Sequence, residues 1–99
     1  MPVAFDEVVE KITDAVRQVE ADGGASPVLV AVVGEFRAKL AKAEKHATDG
    51  VPGRDFVVEL EQAGDSAKVA AEADAGLSSD ARESVLAAHL AICMLKAGA

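Results

Sequence analysis

The chain has 99 residues and is 51% hydrophobic, but 21 alanines and 14 valines far outnumber its 7 leucines and 3 phenylalanines. This length makes one domain with a core of small side chains, which contribute little burial each. A formal net charge of −7, with no Trp or Tyr, argues against binding to nucleic acid or anionic membranes, since those surfaces attract clustered Lys and Arg.

The longest uncharged runs, 23–34 and 84–95, have twelve residues each, whereas a membrane-spanning helix needs about 20. The first residues are acidic and lack the basic start and apolar run of a signal peptide. A single cysteine cannot form an internal disulfide. We therefore expect a cytoplasmic protein without a membrane segment.

Three turn-rich clusters, at 21–26, 48–53 and 75–79, divide the chain into four segments. In the first segment the apolar residues recur every three or four positions, with charged residues between them. This spacing predicts an amphipathic helix over about 3–20. The residues on its apolar stripe are Phe5, Val9, Ile12, Val16 and Val19.

The second segment has an apolar stripe from Leu29 to Ala47 and predicts a helix over 27–47. Ser26 suits the N-cap and Pro27 the first helical position, where its missing N–H costs nothing. An alternative is a small α/β fold with strands at 28–33 and 55–60, because both runs are rich in Val. The unbroken helical stripe favours the helix.

The third segment predicts a helix over 54–75 whose apolar face is lined mainly by alanines, with Gly64 among them. A glycine inside a helix costs about 1 kcal/mol relative to alanine. Either a neighbouring helix approaches closely at this glycine, or the glycine is merely tolerated or ends the helix early.

The fourth segment predicts a helix over 79–97 that is apolar on almost every side. It opens at Ser78, Ser79 or Asp80, and Asp80 with Glu83 resembles a capping box. A helix of this composition is expected to be buried on several sides.

Connections of about five residues favour antiparallel neighbours, so we predict one all-α domain over 1–99, an antiparallel up-down-up-down four-helix bundle. We find no internal repeat. Residues 37–45 carry four basic side chains, whereas the segments 1–22 and 54–75 each have a net charge of −4. The basic stretch either sets the register against its acidic neighbours or complements the helix dipole.

His89 and Cys93, one helical turn apart, are weak candidates for metal ligands. Two ligands do not make a structural zinc site, although two copies meeting at a dimer axis would supply four. Burial in a core or an interface is the simpler interpretation. No catalytic, metal or cofactor motif is present, so we predict no catalytic residue, no bound metal and no cofactor.

These observations predict a non-catalytic protein–protein interaction module that forms a homodimer or binds a helical partner, mainly through the C-terminal helix. The alternatives are a small-ligand or metal carrier with a cavity beside His89 and Cys93, and an accessory or regulatory subunit of another protein. The predicted interface residues are Val85, Leu86, Leu90, Met94, Val28 and Val30.

Overall fold

Four helices make up most of the chain in the computed structural model, which describes residues 4–98. Their starts and ends lie within two residues of the predicted ones, except that the predicted start at residue 3 falls outside the described residues. The helices are α1 (Phe5–Ala21), α2 (Pro27–Lys45), α3 (Arg54–Ala73) and α4 (Ser79–Gly98).

The helices form an antiparallel four-helix bundle in which α1 packs against α2 and α4, and α3 packs against the same two helices. This confirms the predicted architecture. Within residues 4–98 there is no β-strand, and 28–33 and 55–60 lie inside α2 and α3, so the α/β alternative is wrong. In 28–33, Leu29 and Val33 are buried while Val28 and Val30 are exposed, which is the period of a helix.

Serine side chains cap the N-termini of two of the helices. The Ser26 Oγ accepts a hydrogen bond from the backbone N–H of Leu29 at 3.2 Å, with Pro27 in the first turn, as predicted. The Ser78 Oγ accepts one from the N–H of Ala81, also at 3.2 Å. Ser78, one of the three predicted starts of α4, is therefore the residue that caps the helix. The capping box predicted for Asp80 and Glu83 is wrong, because both residues lie inside α4.

The core is thin between α3 and α4 because alanines and a glycine line α3. A Cβ added at Gly64 would lie 3.3 Å from Cδ1 of Ile92 and 3.4 Å from Cδ2 of His89. This confirms that a neighbouring helix approaches closely at the glycine. Phe36 of α2 fills the same level of the core from the opposite side.

The bundle consists of two similar helical hairpins, so the prediction that the chain has no internal repeat was wrong. The motif Glu-Ala-Asp-x-Gly-x-Ser occurs at 20–26, at the end of α1, and again at 72–78, at the end of α3, 52 residues later. Buried positions recur at the same offset. Examples are the pairs Val8 and Leu60, Ala15 and Ala67, Leu29 and Ala81, Val33 and Val85, and Leu40 and Ile92.

The two loops that carry the motif exchange hydrogen bonds reciprocally. The Asp22 Oδ2 accepts the backbone N–H of Ser78 at 2.9 Å, and the Asp74 Oδ2 accepts that of Ser26 at 2.8 Å. In each aspartate the other oxygen accepts the N–H of the glycine in its own loop. This reciprocity relates the α1–α2 and α3–α4 hairpins by an approximate two-fold axis.

That axis passes between Gly24 and Gly76, whose backbones are in direct contact. A Cβ on either glycine would overlap the carbonyl group of the other. Every part of one hairpin therefore has a counterpart in the other, 52 residues away, and the counterparts can be compared directly.

Candidate functional site

Of the predicted interface residues on α4, three lie on its outer side and one does not. Leu90 and Met94 are 59% and 42% exposed, and Leu86 is half-buried. Val85 is completely buried in the core and therefore cannot belong to an exposed interface. Its position on the inner side of α4 was hidden because apolar residues surround that helix on nearly every side.

The two predicted residues on α2 do not extend the α4 surface, because α2 and α4 are diagonal in the bundle and are not neighbours. Val28 and Val30 are two positions apart, hence about 200° apart around the helix. Val28 instead lies beside Val69, at 69% and 66% exposure, in a shallow valine groove between α2 and α3. Sequence reasoning missed Val69, which lies off the buried alanine stripe.

A second apolar depression, which we call the α1–α4 groove, lies on the opposite side of the bundle. Small side chains, Ala87 and Ala91, line it, and the exposed Leu90 and Met94 form one wall. Two charged residues of α1 complete the lining. The groove residues are Glu7, Lys11, Ala87, Leu90, Ala91 and Met94.

The counterpart of this groove in the other half of the bundle is covered by ion pairs between α2 and α3. The Lys39 Nζ is 3.0 Å from Glu59 Oε1, and the Lys42 Nζ is 3.3 Å from the same oxygen. These hydrogen bonds, that of Lys39 first, hold the pKa of Glu59 below its usual value, and the bond to Glu59 raises the pKa of Lys39.

The two halves of the bundle therefore carry different side chains at the same place in the fold. Glu7 occupies the place of Glu59, but Ala91 and Met94 replace the two lysines, and Leu90 replaces an exposed alanine. Among residues 4–98 Glu7 has no ion-pair partner within 4.0 Å. Ion pairs cover the groove between α2 and α3, whereas the α4 side of the α1–α4 groove is lined by apolar side chains.

The basic stretch 37–45 reaches both acidic neighbours of α2. Arg37 forms an ion pair with Glu20 of α1, and the two lysines pair with Glu59 of α3. These ion pairs favour the first interpretation, in which the basic side chains set the register of α2 against its acidic neighbours. The helix dipole alone would not require such partners.

His89 and Cys93 lie together at the edge of α3, where they meet a carboxylate that the sequence analysis did not connect with them. The His89 Nε2 is 2.5 Å from Asp65 Oδ1 and 3.7 Å from Cys93 Sγ. Beside them the Lys96 Nζ donates to Glu61 Oε1 at 2.8 Å. Only the packing of α3 against α4 brings these groups together.

This cluster lacks the arrangement of a nucleophilic or metal site. A catalytic histidine uses one ring nitrogen for the nucleophile and the other for the carboxylate, whereas both Asp65 and Cys93 contact the same nitrogen of His89. Burial, then the charges of Glu61 and Asp65, raise the pKa of the Cys93 thiol, and a nucleophile or metal ligand needs the thiolate. Within residues 4–98 no three His, Cys, Asp or Glu side chains are grouped to hold a metal ion.

The alternative hypothesis of a ligand carrier places a cavity beside His89 and Cys93, but α3 and α4 are in close contact there, at Gly64. A cleft lies between α1 and α2, and its lining includes Ile12, which stands in the place of Gly64. Its volume is about 180 Å³. The arginines at its mouth, Arg17 and Arg37, are already paired with acidic side chains.

Comparison of the chain with known protein families, with curated proteins and with solved structures finds no significant match. Of the four described helices, none combines the length and the apolar character needed to cross a bilayer.

Proposed function

We propose that the protein is a non-catalytic, cytoplasmic interaction module that forms a homodimer through the α1–α4 groove. The observation that carries this proposal is the difference between the two halves of the bundle. Lysines and glutamates cover the groove between α2 and α3, and the equivalent groove between α1 and α4 is left apolar. Cytoplasmic placement agrees with a single cysteine, Cys93, that is a free thiol.

The fold itself does not require apolar side chains on the outer side of α4. The fold accepts Lys42 at the position that Met94 occupies in α4, so an exposed methionine is not a requirement of the bundle. Leu90 and Met94 both expose apolar area. Full burial of one such side chain contributes about 1.5–3 kcal/mol to the free energy of association. Grouped exposed apolar side chains of this kind typically mark a protein-binding surface.

The charges of the groove suit a second copy of the chain. Glu7 and Lys11 provide one charge of each sign beside the apolar wall, so two copies can complement each other. The valine groove is a weaker candidate for self-association, because the charged residues that line it and the adjoining depression, Asp65 and Asp74, are both acidic. Two copies meeting there would bring like charges together.

The test is the solution mass of four variants, measured by size exclusion with light scattering and refractive-index detection. We expect a dimer for the unmodified chain and a monomer for Leu90→Glu and for Met94→Lys. The dissociation constant of the dimer should rise at least about tenfold in each variant, because a charge would be buried at the interface. Met94→Lys places a lysine near Glu7, as Lys42 lies near Glu59, so this variant should keep its fold.

Two matched controls carry the same kind of change at other exposed positions. Ala38→Glu alters the counterpart of Leu90, and Val69→Glu alters the valine groove. Both should remain dimeric, and circular dichroism should show equal helix content in all variants. A monomeric unmodified chain would overturn the proposal, as would a dimer that Val69→Glu dissociates and Leu90→Glu does not.

A further inference from the structure

We infer that the two copies meet antiparallel, about a two-fold axis that crosses the groove between Glu7 and Lys11, so that Glu7 of each chain pairs with Lys11 of the other. The inference rests on the proposed homodimer and specifies its geometry. Three features of the described surface support it: the spacing of the apolar ridge, the order of the charges on α1, and the position of the remaining acidic residues.

The exposed apolar residues of α4 form a ridge that is symmetric about its middle member. Leu86, Leu90 and Met94 follow each other at intervals of four residues, about 6 Å along the helix. When two such ridges run antiparallel, Leu90 meets its own copy at the axis, and Leu86 meets Met94 on either side. In the commonest helix contact in globular proteins the i±4 ridges of the two helices interdigitate, so the two ridges lie side by side at the axis.

The same axis exchanges the levels of the two charged residues on α1. Glu7 and Lys11 are one helical turn apart, both are exposed, and both line the groove at the level of Leu90. A two-fold axis perpendicular to α1 and midway between them places each glutamate opposite the lysine of the other chain. The dimer then contains two identical ion pairs.

The alternative two-fold axis runs along the helices and keeps every residue at its own level. The outer side of α1 and α4 near the 22–26 and 74–78 loops carries Asp80 and Glu83, together with Asp14, which forms an ion pair with Arg17. A parallel axis would place α1 of one copy opposite α4 of the other at the same level, and so would bring Asp14 towards Glu83 of the other copy, which is unfavourable. The antiparallel arrangement moves these carboxylates to the level of the first turn of α1 and the last turn of α4 of the other copy, away from the corresponding carboxylates of that copy.

Charge exchange tests this geometry in the full-length chain. Glu7→Lys carries two basic residues at the groove and Lys11→Glu carries two acidic ones, so each alone should dimerise about tenfold more weakly than the unmodified chain. Mixed at equal concentration, with one variant uniformly labelled with nitrogen-15 so that the dimers differ in mass, the two variants should form a heterodimer in preference to either homodimer, as measured by native mass spectrometry. The double variant Glu7→Lys with Lys11→Glu should recover the homodimer.

Controls for the change of net charge are Glu72→Lys and Lys45→Glu, which are exposed on α3 and α2. They should dimerise like the unmodified chain and show no preference when mixed. If Leu90→Glu dissociates the dimer but the charge variants show no heterodimer preference, self-association stands and the antiparallel pairing is wrong. If the unmodified chain is monomeric, the proposed function itself fails.

Discussion

Single side chains set how closely the helices of each hairpin approach. Gly64 lets α3 contact Ile92 and His89 of α4, whereas its counterpart Ile12 lines a cleft between α1 and α2. A second helical glycine, Gly34, has no neighbouring atom within 4 Å of the position that a Cβ would take. The two glycines thus provide a comparison between a position that needs glycine and one that does not.

Gly34→Ala is expected to raise the free energy of unfolding by about 0.5–1 kcal/mol, because alanine has the higher helix propensity and meets no obstacle. Gly64→Ala gains the same propensity but must displace Ile92 and His89, so its stability should be at least about 1 kcal/mol below that of Gly34→Ala. Urea unfolding followed by circular dichroism measures both. Equal stabilisation by the two substitutions would mean that α3 and α4 separate without cost.

Helices α2 and α4 begin in the same way, with a serine whose side chain caps the helix and whose backbone N–H is held by an aspartate of the other hairpin. The cap is local to each helix, while the aspartate bond depends on the pairing of the hairpins. Separate substitutions can therefore distinguish helix initiation from hairpin assembly.

Ser26→Ala and Ser78→Ala should each lower the free energy of unfolding by about 1 kcal/mol, since each removes an N-cap acceptor. Ser66→Ala is the matched control, because Ser66 is exposed in the middle of α3. That substitution should be neutral or slightly stabilising. If all three variants unfold at the same denaturant concentration, the serine caps contribute nothing measurable.

The loop aspartates should make stability depend on pH. Backbone hydrogen bonds, that of Ser78 first for Asp22 and that of Ser26 first for Asp74, hold the pKa of each carboxyl below its usual 3.8. Because the folded pKa is below the unfolded one, both groups stabilise the fold above about pH 4, and this contribution is lost as the pH falls through the folded value. The thermal midpoint should decline over that range.

In the double variant Asp22→Asn with Asp74→Asn, we expect a lower midpoint at pH 7 and a flatter decline on acidification, so that the two curves converge at low pH. Asp80→Asn removes a carboxylate from the same end of the bundle, and in the described part of the chain Asp80 makes no hydrogen bond to the other loop. It should retain the slope of the unmodified chain. Parallel curves for the double variant would show that the cross-loop bonds do not govern the acid response.

The whole bundle combines a nearly symmetric interior with an asymmetric surface. Its buried positions recur 52 residues apart, but the α1–α4 groove is apolar where its counterpart is covered by ion pairs. If the apolar lining is what causes self-association, it should act equally well when transferred to the other half.

The transfer requires four substitutions in α2, which copy the α4 side of the α1–α4 groove onto its counterpart: Glu35→Ala, Ala38→Leu, Lys39→Ala and Lys42→Met. A chain with two such surfaces on opposite sides should assemble beyond a dimer, giving a mass that rises with concentration in light scattering. A mass equal to that of the unmodified dimer would indicate that apolar lining alone is insufficient for association.

Local chemistry explains which features could be predicted. The helical period from Phe5 to Val19 and the Ser26-Pro27 start depend only on residues within one or two turns of each other. Both were predicted correctly, except that Val8 is the fully buried residue where the predicted stripe has Val9. The repeat was missed because the residues that its halves share lie mainly in one short motif, while the equivalent buried positions hold different side chains, such as Phe36 and Ala88.

Features that depend on residues distant in the chain required the folded bundle. Val85 and Leu90 have the same apolar character, and only the packing of α4 against α1 and α3 buries the first and exposes the second. The partnership of Asp65 with His89 and the contrast between the two grooves likewise exist only after the hairpins pair. Helical periodicity is a property of neighbouring residues, but exposure depends on which surfaces the other helices cover.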